Sequence, residues 1–446
     1  MDGVKDRATE GTPAKVPAKA KQAGEALDRW SWVEPSVWTE RMLAALEKGV
    51  KGGTWFSLID KVYSMGNLRS AFVSVKRNRG AAGVDHQTIE RFEAHLEANL
   101  ERLSASLRDG SYRPQAIRRV YIPKPGKKEK RPLGIPTVRD RVAQAALRHV
   151  LEPIFERDFA EHSYGFRPNR GCKDALRRVN TLLYNEYTWV VDADLKSYFD
   201  TIPHKQLMDR VQAKVADGKV LELIESYLHQ DVMETAGQWT PQEGSPQGAV
   251  LSPLLSNIYL DPLDHHMAQA GYQMVRYADD FVILCRSEQE AREALEKVKA
   301  WTAVAGLTLH PEKTRIVDAT QKGGFDFLGY HLERGYRWPG PKSLGKFRDA
   351  IRDKTRRNNG QSLPQIISTI NRSLKGWFEY FKHSHRSTFS TLDGWIRMRL
   401  RSILRHRIGR RGRGRGYDHA RWPNAFFAAQ GLFSTATAHT QARQST

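Results

Sequence analysis

Residues 274–285 read MVRYADDFVILC, and the fold turns on how that stretch folds. Two short apolar runs flank the tetrad Tyr277-Ala278-Asp279-Asp280; Val275 precedes it, and Phe281, Val282, Ile283 and Leu284 follow it. Short apolar runs broken by a polar tetrad predict a β-hairpin with the tetrad at its tip. Two adjacent carboxylates there repel each other and are costly to bury. They become favourable around a divalent cation that a third carboxylate also reaches, because hard cations such as Mg²⁺ prefer carboxylate and phosphate oxygens. Two such ions roughly 3.5–4 Å apart serve in-line displacement at phosphorus. An isolated Asp-Asp pair is more often a solvated turn, so the surroundings decide.

The candidate third carboxylate lies upstream. Residues 189–195, Trp-Val-Val-Asp-Ala-Asp-Leu, alternate strictly enough for a strand with Asp192 and Asp194 on one face. Phe199-Asp200 follow at once, and Gly244-Ser245-Pro246-Gln247-Gly248 is a tight loop before an apolar helix. Between Arg113 and Arg131 there are eight basic residues and one acidic, arranged as two runs around the turn Pro125-Gly126-Lys127-Lys128-Glu129-Lys130. Such a hairpin is either a solvated edge or a clamp for a polyphosphate, with Lys as a point charge and Arg as a bidentate fork. Apolar spacing predicts helices over 87–108, 139–160, 205–229 and 287–305, with a short strand at 325–330. The Gly-rich stretch 78–85 lacks the Lys-Ser/Thr of a phosphate-binding Walker loop and reads as a helix connection.

Charge is unevenly placed. The 446 residues carry 71 Lys+Arg against 50 Asp+Glu, a net of +21; residues 333–446 alone hold 24 basic and 6 acidic, leaving 47 against 44 for the rest. A one-signed face of this kind implies a polyanion partner, nucleic acid before anionic membrane. Beyond residue 340 three amphipathic helices are expected. The first sets Arg348, Arg352, Arg356 and Arg357 outward, and the third interleaves Arg397, Arg399 and Arg401 with Leu392, Ile396 and Leu400. No apolar run approaches the roughly 18 residues that span a bilayer. Two cysteines, Cys172 and Cys285, are too few for a disulfide framework, and the N-terminus has no apolar signal core, so a reducing cytoplasm is expected and no membrane partner.

Taken together, from about residue 78 to about 407, these motifs resemble in kind and order the group II intron-encoded reverse transcriptase/maturase family. The resemblance implies an α+β right-hand polymerase, with fingers and an antiparallel palm sheet, plus an α-helical thumb or maturase domain. Its expected limits are a disordered tail over 1–28, an N-terminal extension and fingers over 29–187, palm over 188–335, thumb over 336–408 and a basic C-terminal tail over 409–446. It implies that Asp194, Asp279 and Asp280 are catalytic, and that Asp194 and Asp279, with the Leu195 carbonyl and support from Asp280, hold two Mg²⁺ ions for which Mn²⁺ could substitute. Lys124 and Arg131 would grip the triphosphate of a dNTP, Phe199 would exclude a 2′-hydroxyl, Gln247 would line the nucleotide pocket and Lys313 would protonate pyrophosphate. Residues 325–330 would hold the primer end, and the basic thumb helices would bind RNA.

Expected partners are the group II intron RNA, an RNA template with its DNA primer, target DNA and dNTPs, in a bacterial cytoplasmic ribonucleoprotein of undefined oligomeric state. The short ending resembles the class C lineage without an HNH endonuclease. Three rivals remain at this point: a splicing factor with an inactive polymerase, a domesticated reverse transcriptase of phage defence or CRISPR adaptation, and an RNA-directed RNA polymerase.

Overall fold

The structure, a computed structural model, describes residues 29–50, 52–123, 130–234 and 237–444. The expected N-terminal tail and Lys124 lie outside them. The central hairpin forms as its apolar runs predict. Strand β6 (Gln273–Tyr277) pairs antiparallel with β7 (Asp280–Cys285), Tyr277 opposite Asp280, so Ala278 and Asp279 alone make the turn. Ala278 takes a left-handed φ of 59° there. β3 (Trp189–Asp194) pairs with the other edge of β7, and β8 (Arg315–Asp318) with β3, giving the order β6-β7-β3-β8.

Alternation decides what each strand buries. Phe281, Ile283 and Cys285 face one core with Val191, Ala193 and Tyr259; Val282 and Leu284 face another with Val190, Val179 and Phe325. Because the sheet is covered on both faces, β7 reads as an unbroken apolar run rather than an alternating one. Each such side chain contributes about 1.5–3 kcal/mol on burial, enough to anchor the carboxylates at the sheet's end.

The fingers carry a second sheet in the order β2-β1-β4-β5, built from β1 (Ile117–Pro123), β2 (Lys130–Ile135), β4 (Val232–Glu234) and β5 (Gly237–Trp239). β1 and β2 are the expected basic hairpin; β4 and β5 are short and carry no apolar alternation that announces them. After β2 the helix Val138–Glu156 is nearly all buried, with Thr137 accepting from the Asp140 amide at its start. The helix expected over 205–229 is two helices, His204–Gln212 and Gly218–Leu228. They part at Asp217, whose carboxylate accepts from the amides of Val220, Leu58 and Ile59. The helix expected over 87–108 likewise divides, into Ile89–Glu93 and Leu96–Asp109, with Gly110 closing the second at a φ of +80°.

A small sheet, β9 (Phe325–Phe327), β10 (Tyr330–Glu333) and β11 (Tyr336–Pro339), leads into the thumb. The thumb helices are Pro341–Lys354, Leu363–Phe381 and Ser387–Arg407, joined through Ile351, Ile366, Ile370, Leu392 and Ile396. The stretch expected as a basic tail adds three short helices, Tyr417–Arg421, Asn424–Ala429 and Thr435–Gln444, and Trp422 and Phe427 sit in the thumb core. Asp393 fixes the last of them, accepting from the amides of Thr435 and Ala436 and the hydroxyls of Ser434 and Thr435. Among the described residues no helix is long and apolar enough to cross a membrane.

Candidate active site

Three strands bring the carboxylates together. Asp194 ends β3 directly opposite Asp280 at the start of β7, and Asp279 sits in the turn beside them. The chain beyond Asp194 is pinned: the His310 amide donates to the Asp194 carbonyl at 2.7 Å, the Lys196 amide to the Thr308 carbonyl at 2.8 Å, and Leu195 bridges to Leu309. Asp192 shares the face and is paired with Arg315 at 3.2 Å. Lys313 is ion-paired with Asp194.

Crowding shows in the carboxyls' acidity. Burial pushes Asp279 up, the charge of Asp194 adds to that, and Arg276 and Lys313 partly offset it. Burial pushes Asp280 up to about 7, with the charges of Asp192, Asp279 and Asp194 adding, against a backbone hydrogen bond at Leu328. That bond also brings the 325–330 segment to the site.

The sign of the consequence is definite for the cation-free chain. Asp280 keeps its proton to about 7 when folded and releases it near 3.8 when unfolded, so the folded state binds more protons in that window and stability falls as pH rises through it. Asp280→Asn should flatten that fall in melting temperature measured between about pH 4 and 7; an unchanged slope would show that the proton sits elsewhere.

Among the described residues no three His, Cys, Asp or Glu side chains make a ready cation cage. Asp194 and Asp279 still fit Mg²⁺, which is commonly held by one or two carboxylates plus substrate phosphates and water. Mutual repulsion between them is the condition a cation relieves.

A cleft of about 510 Å³ opens between the fingers sheet and the turn that follows β3, lined by Phe199, Asp200, Gln247, Arg119, Gly134 and Trp239. Phe199 lies in the 3₁₀ turn Tyr198–Asp200, and the Ser245 amide donates to its carbonyl at 2.6 Å. Gln247 donates to Asp200 at 3.4 Å, while its own carbonyl accepts from the Gly134 amide at 2.7 Å. Gly248, at a φ of +104°, has room for no more than hydrogen, since a Cβ would stand 2.5 Å from the Gly134 carbonyl oxygen. Phe199 and Gln247 thus line the same cleft. Arg131 does not: it pairs with Ile122, on the sheet face opposite the cleft-lining Arg119 and Gly134, which pair with each other.

Six of the thumb arginines, Arg348, Arg352, Arg356, Arg357, Arg397 and Arg401, expected to meet RNA, divide. Arg352 and Arg356 are exposed, each in an ion pair with an aspartate three residues earlier, Asp349 and Asp353. Arg348 and Arg352 reach over the Trp395 ring at 5.9 and 6.0 Å. Arg357 is exposed and donates to the Ser402 hydroxyl at 2.8 Å; Arg397 is half-buried near Asp393. Arg401 corrects the expectation of a phosphate contact. It is buried, donating to the Trp422 carbonyl at 2.9 Å and to Asn424 at 2.8 Å, so it locks the C-terminal helices to the thumb.

Several supporting residues escaped the sequence reading. Gln144 accepts from the amides of Val250 and Leu251, setting the helix that follows the 244–248 loop. Gly165 packs against the Ala278-Asp279 turn so closely that a Cβ would stand 2.1 Å from the Ala278 nitrogen. Arg276, a lone charge in an apolar strand, was the one visible signal of the buried polar cluster behind that turn.

Comparison with known proteins gives these features a common source. Residues 122–332 match the model of the reverse transcriptase (RNA-dependent DNA polymerase) domain, and residues 344–422 that of the group II intron maturase-specific domain. Protein YkfC of Escherichia coli (strain K12) is 34% identical over 291 residues, 56% of this chain and 76% of that protein. The group II intron-encoded protein LtrA of Lactococcus lactis subsp. cremoris is 36% identical over 231 residues, 51% of this chain but only 37% of LtrA. A solved structure, a partial Cas6-RT-Cas1–Cas2 complex, is 26% identical, covering 55% of this chain and 42% of that one at a TM-score of 0.36. With an RNA-directed DNA polymerase domain over 122–332 and a maturase domain over 344–422, this chain belongs to the group II intron-encoded reverse transcriptase/maturase family.

Proposed function

We propose that this chain extends a DNA primer on an RNA template and assists the splicing and mobility of its own intron RNA, as a cytoplasmic ribonucleoprotein of a bacterium. The observation that carries this reading is the register that sets Asp194 against Asp280 with Asp279 in the two-residue turn between them. Asp194 and Asp279, with the Leu195 carbonyl, are the ligands for divalent cations, and Asp280 backs them from within the sheet. When bound, a pair of Mg²⁺ ions, or Mn²⁺ in their place, lowers the pKa of the primer 3′-hydroxyl and neutralises the leaving pyrophosphate. Lys313 gives a proton to that pyrophosphate; its ion pair with Asp194 supports this reading.

Phe199 and Gln247 hold the nucleotide in the cleft they line, whose volume falls within the usual range for small-molecule sites. Lys124 and Arg131 meet the triphosphate from the fingers. For Arg131 this requires β2 to change its orientation on binding, because in the structure Arg131 lies on the sheet face opposite the cleft. The exposed thumb arginines and the basic C-terminal region contact intron RNA, with target DNA as a further polyanion partner.

The ring of Phe199 supplies the test. Replacing it with Ala should admit ribonucleotides, lowering the preference for dTTP over UTP in primer extension by on the order of 10–100-fold. An unchanged preference would remove Phe199 from the sugar gate, and a wild-type chain that extends no primer would refute the polymerase reading itself.

A further inference from the structure

Arg276 sits in β6, two residues before the catalytic turn, with no exposed surface. A buried arginine is costly unless every donor is met. Here Nε reaches both Asp264 oxygens at 2.8 and 2.9 Å, and Nη2 is also paired with Asp264. Nη1 donates to Asn257 Oδ1 and to the Ala278 carbonyl, each at 2.9 Å. Ala278 is the left-handed residue that aims Asp279, so the guanidinium holds the peptide immediately before a proposed metal ligand.

The partners are themselves fixed. Asn257 and Asp264 lie seven residues apart on the helix Ser252–Gln269, two turns along one face. Asn257 also donates to the Gly165 carbonyl at 2.8 Å, and Gly165 abuts the Ala278 nitrogen. One cluster therefore meets Ala278 at both its carbonyl, through Arg276, and its nitrogen, through Gly165. A hairpin needs only a two-residue turn to close, so a fully paired buried charge aimed at that turn does more than close it.

Resting on the polymerase reading above, we propose that Arg276, braced by Asp264 and Asn257, is a positioning residue that sets the Asp279 carboxylate through its hold on the Ala278 carbonyl. A planar fork spans Asp264, Asn257 and Ala278 at once. Lysine would keep the charge beside Asp264 but, as a point donor, would release the turn.

The test uses the full chain with Arg276→Lys, measuring primer extension, RNA affinity and amide hydrogen exchange at residues 277–280. The expected result is a kcat lower by about 10²-fold, the cost of a reacting group displaced by about 1 Å. The KM for dNTP and the RNA affinity stay near wild type, while exchange quickens at the turn and not across the sheet. Asn257→Ala leaves the ion pair intact and should quicken the same amides with a fall in kcat of roughly tenfold; it carries the test if Arg276→Lys does not fold. Wild-type kcat in both variants, or a fall in kcat matched by lost RNA affinity and a lower melting temperature, overturns the proposal in favour of a structural pair. A wild-type chain without extension defeats the polymerase reading and this inference together, whereas active wild type with unaffected variants defeats this inference alone.

Discussion

Asp279→Asn abolishes primer extension, by on the order of 10³-fold or more, while RNA binding and folding persist. The carboxylate's share of cation binding is worth several kcal/mol of transition-state stabilisation, and each 1.36 kcal/mol is about a factor of ten. Asn keeps the shape of the side chain and removes a charge that burial and Asp194 already disfavour. The melting temperature of the cation-free variant therefore holds or rises, which separates lost chemistry from lost structure. Extension within about tenfold of wild type would remove Asp279 from the ligand set.

RNA affinity falls by on the order of 10³ or more between 50 and 200 mM salt, as expected for a protein that neutralises several phosphates. The net of +18 over residues 333–446 supplies the charge, and Arg352 and Arg356 on the first thumb helix are open to solvent. Replacing both with Ala should lower the slope of log affinity against log salt by about two, one per contact. Arg401→Ala acts differently: it frees the C-terminal helices and lowers thermal stability, leaving that slope unchanged. A flat response in wild type would contradict a phosphate-binding thumb.

The palm was readable because its strands obey simple rules. Short apolar runs, Met274-Val275 and Phe281 to Cys285, with a polar tetrad between them leave little but a hairpin, and Asp194 could be placed because side chains alternate along a strand. The loop holding Gln247 was equally legible from its glycines. Polar residues that work inside the protein were not. Asn257 and Asp264 sit in a helix whose apolar residues announce burial, and nothing local says that they face an arginine from another strand. Arginines in the thumb posed the converse problem. A helix written with Arg at every second or third place looks basic all round, yet Arg401 points inward because the C-terminal helices offer it carbonyls. Those helices, Tyr417–Arg421 to Thr435–Gln444, are short and low in periodicity, so they read as tail until packing supplies their order. Arg131 was assigned through the family resemblance, but one step of strand register decides its face.

The most direct measurement is extension of oligo(dT) on poly(rA) with Mg²⁺, comparing dTTP with UTP. The account predicts long products with dTTP and almost none with UTP, which tests the carboxylate site, the RNA template and the sugar gate together. No extension with dTTP, in a preparation that still binds RNA tightly, would contradict it and leave an RNA-binding splicing factor whose polymerase site is idle.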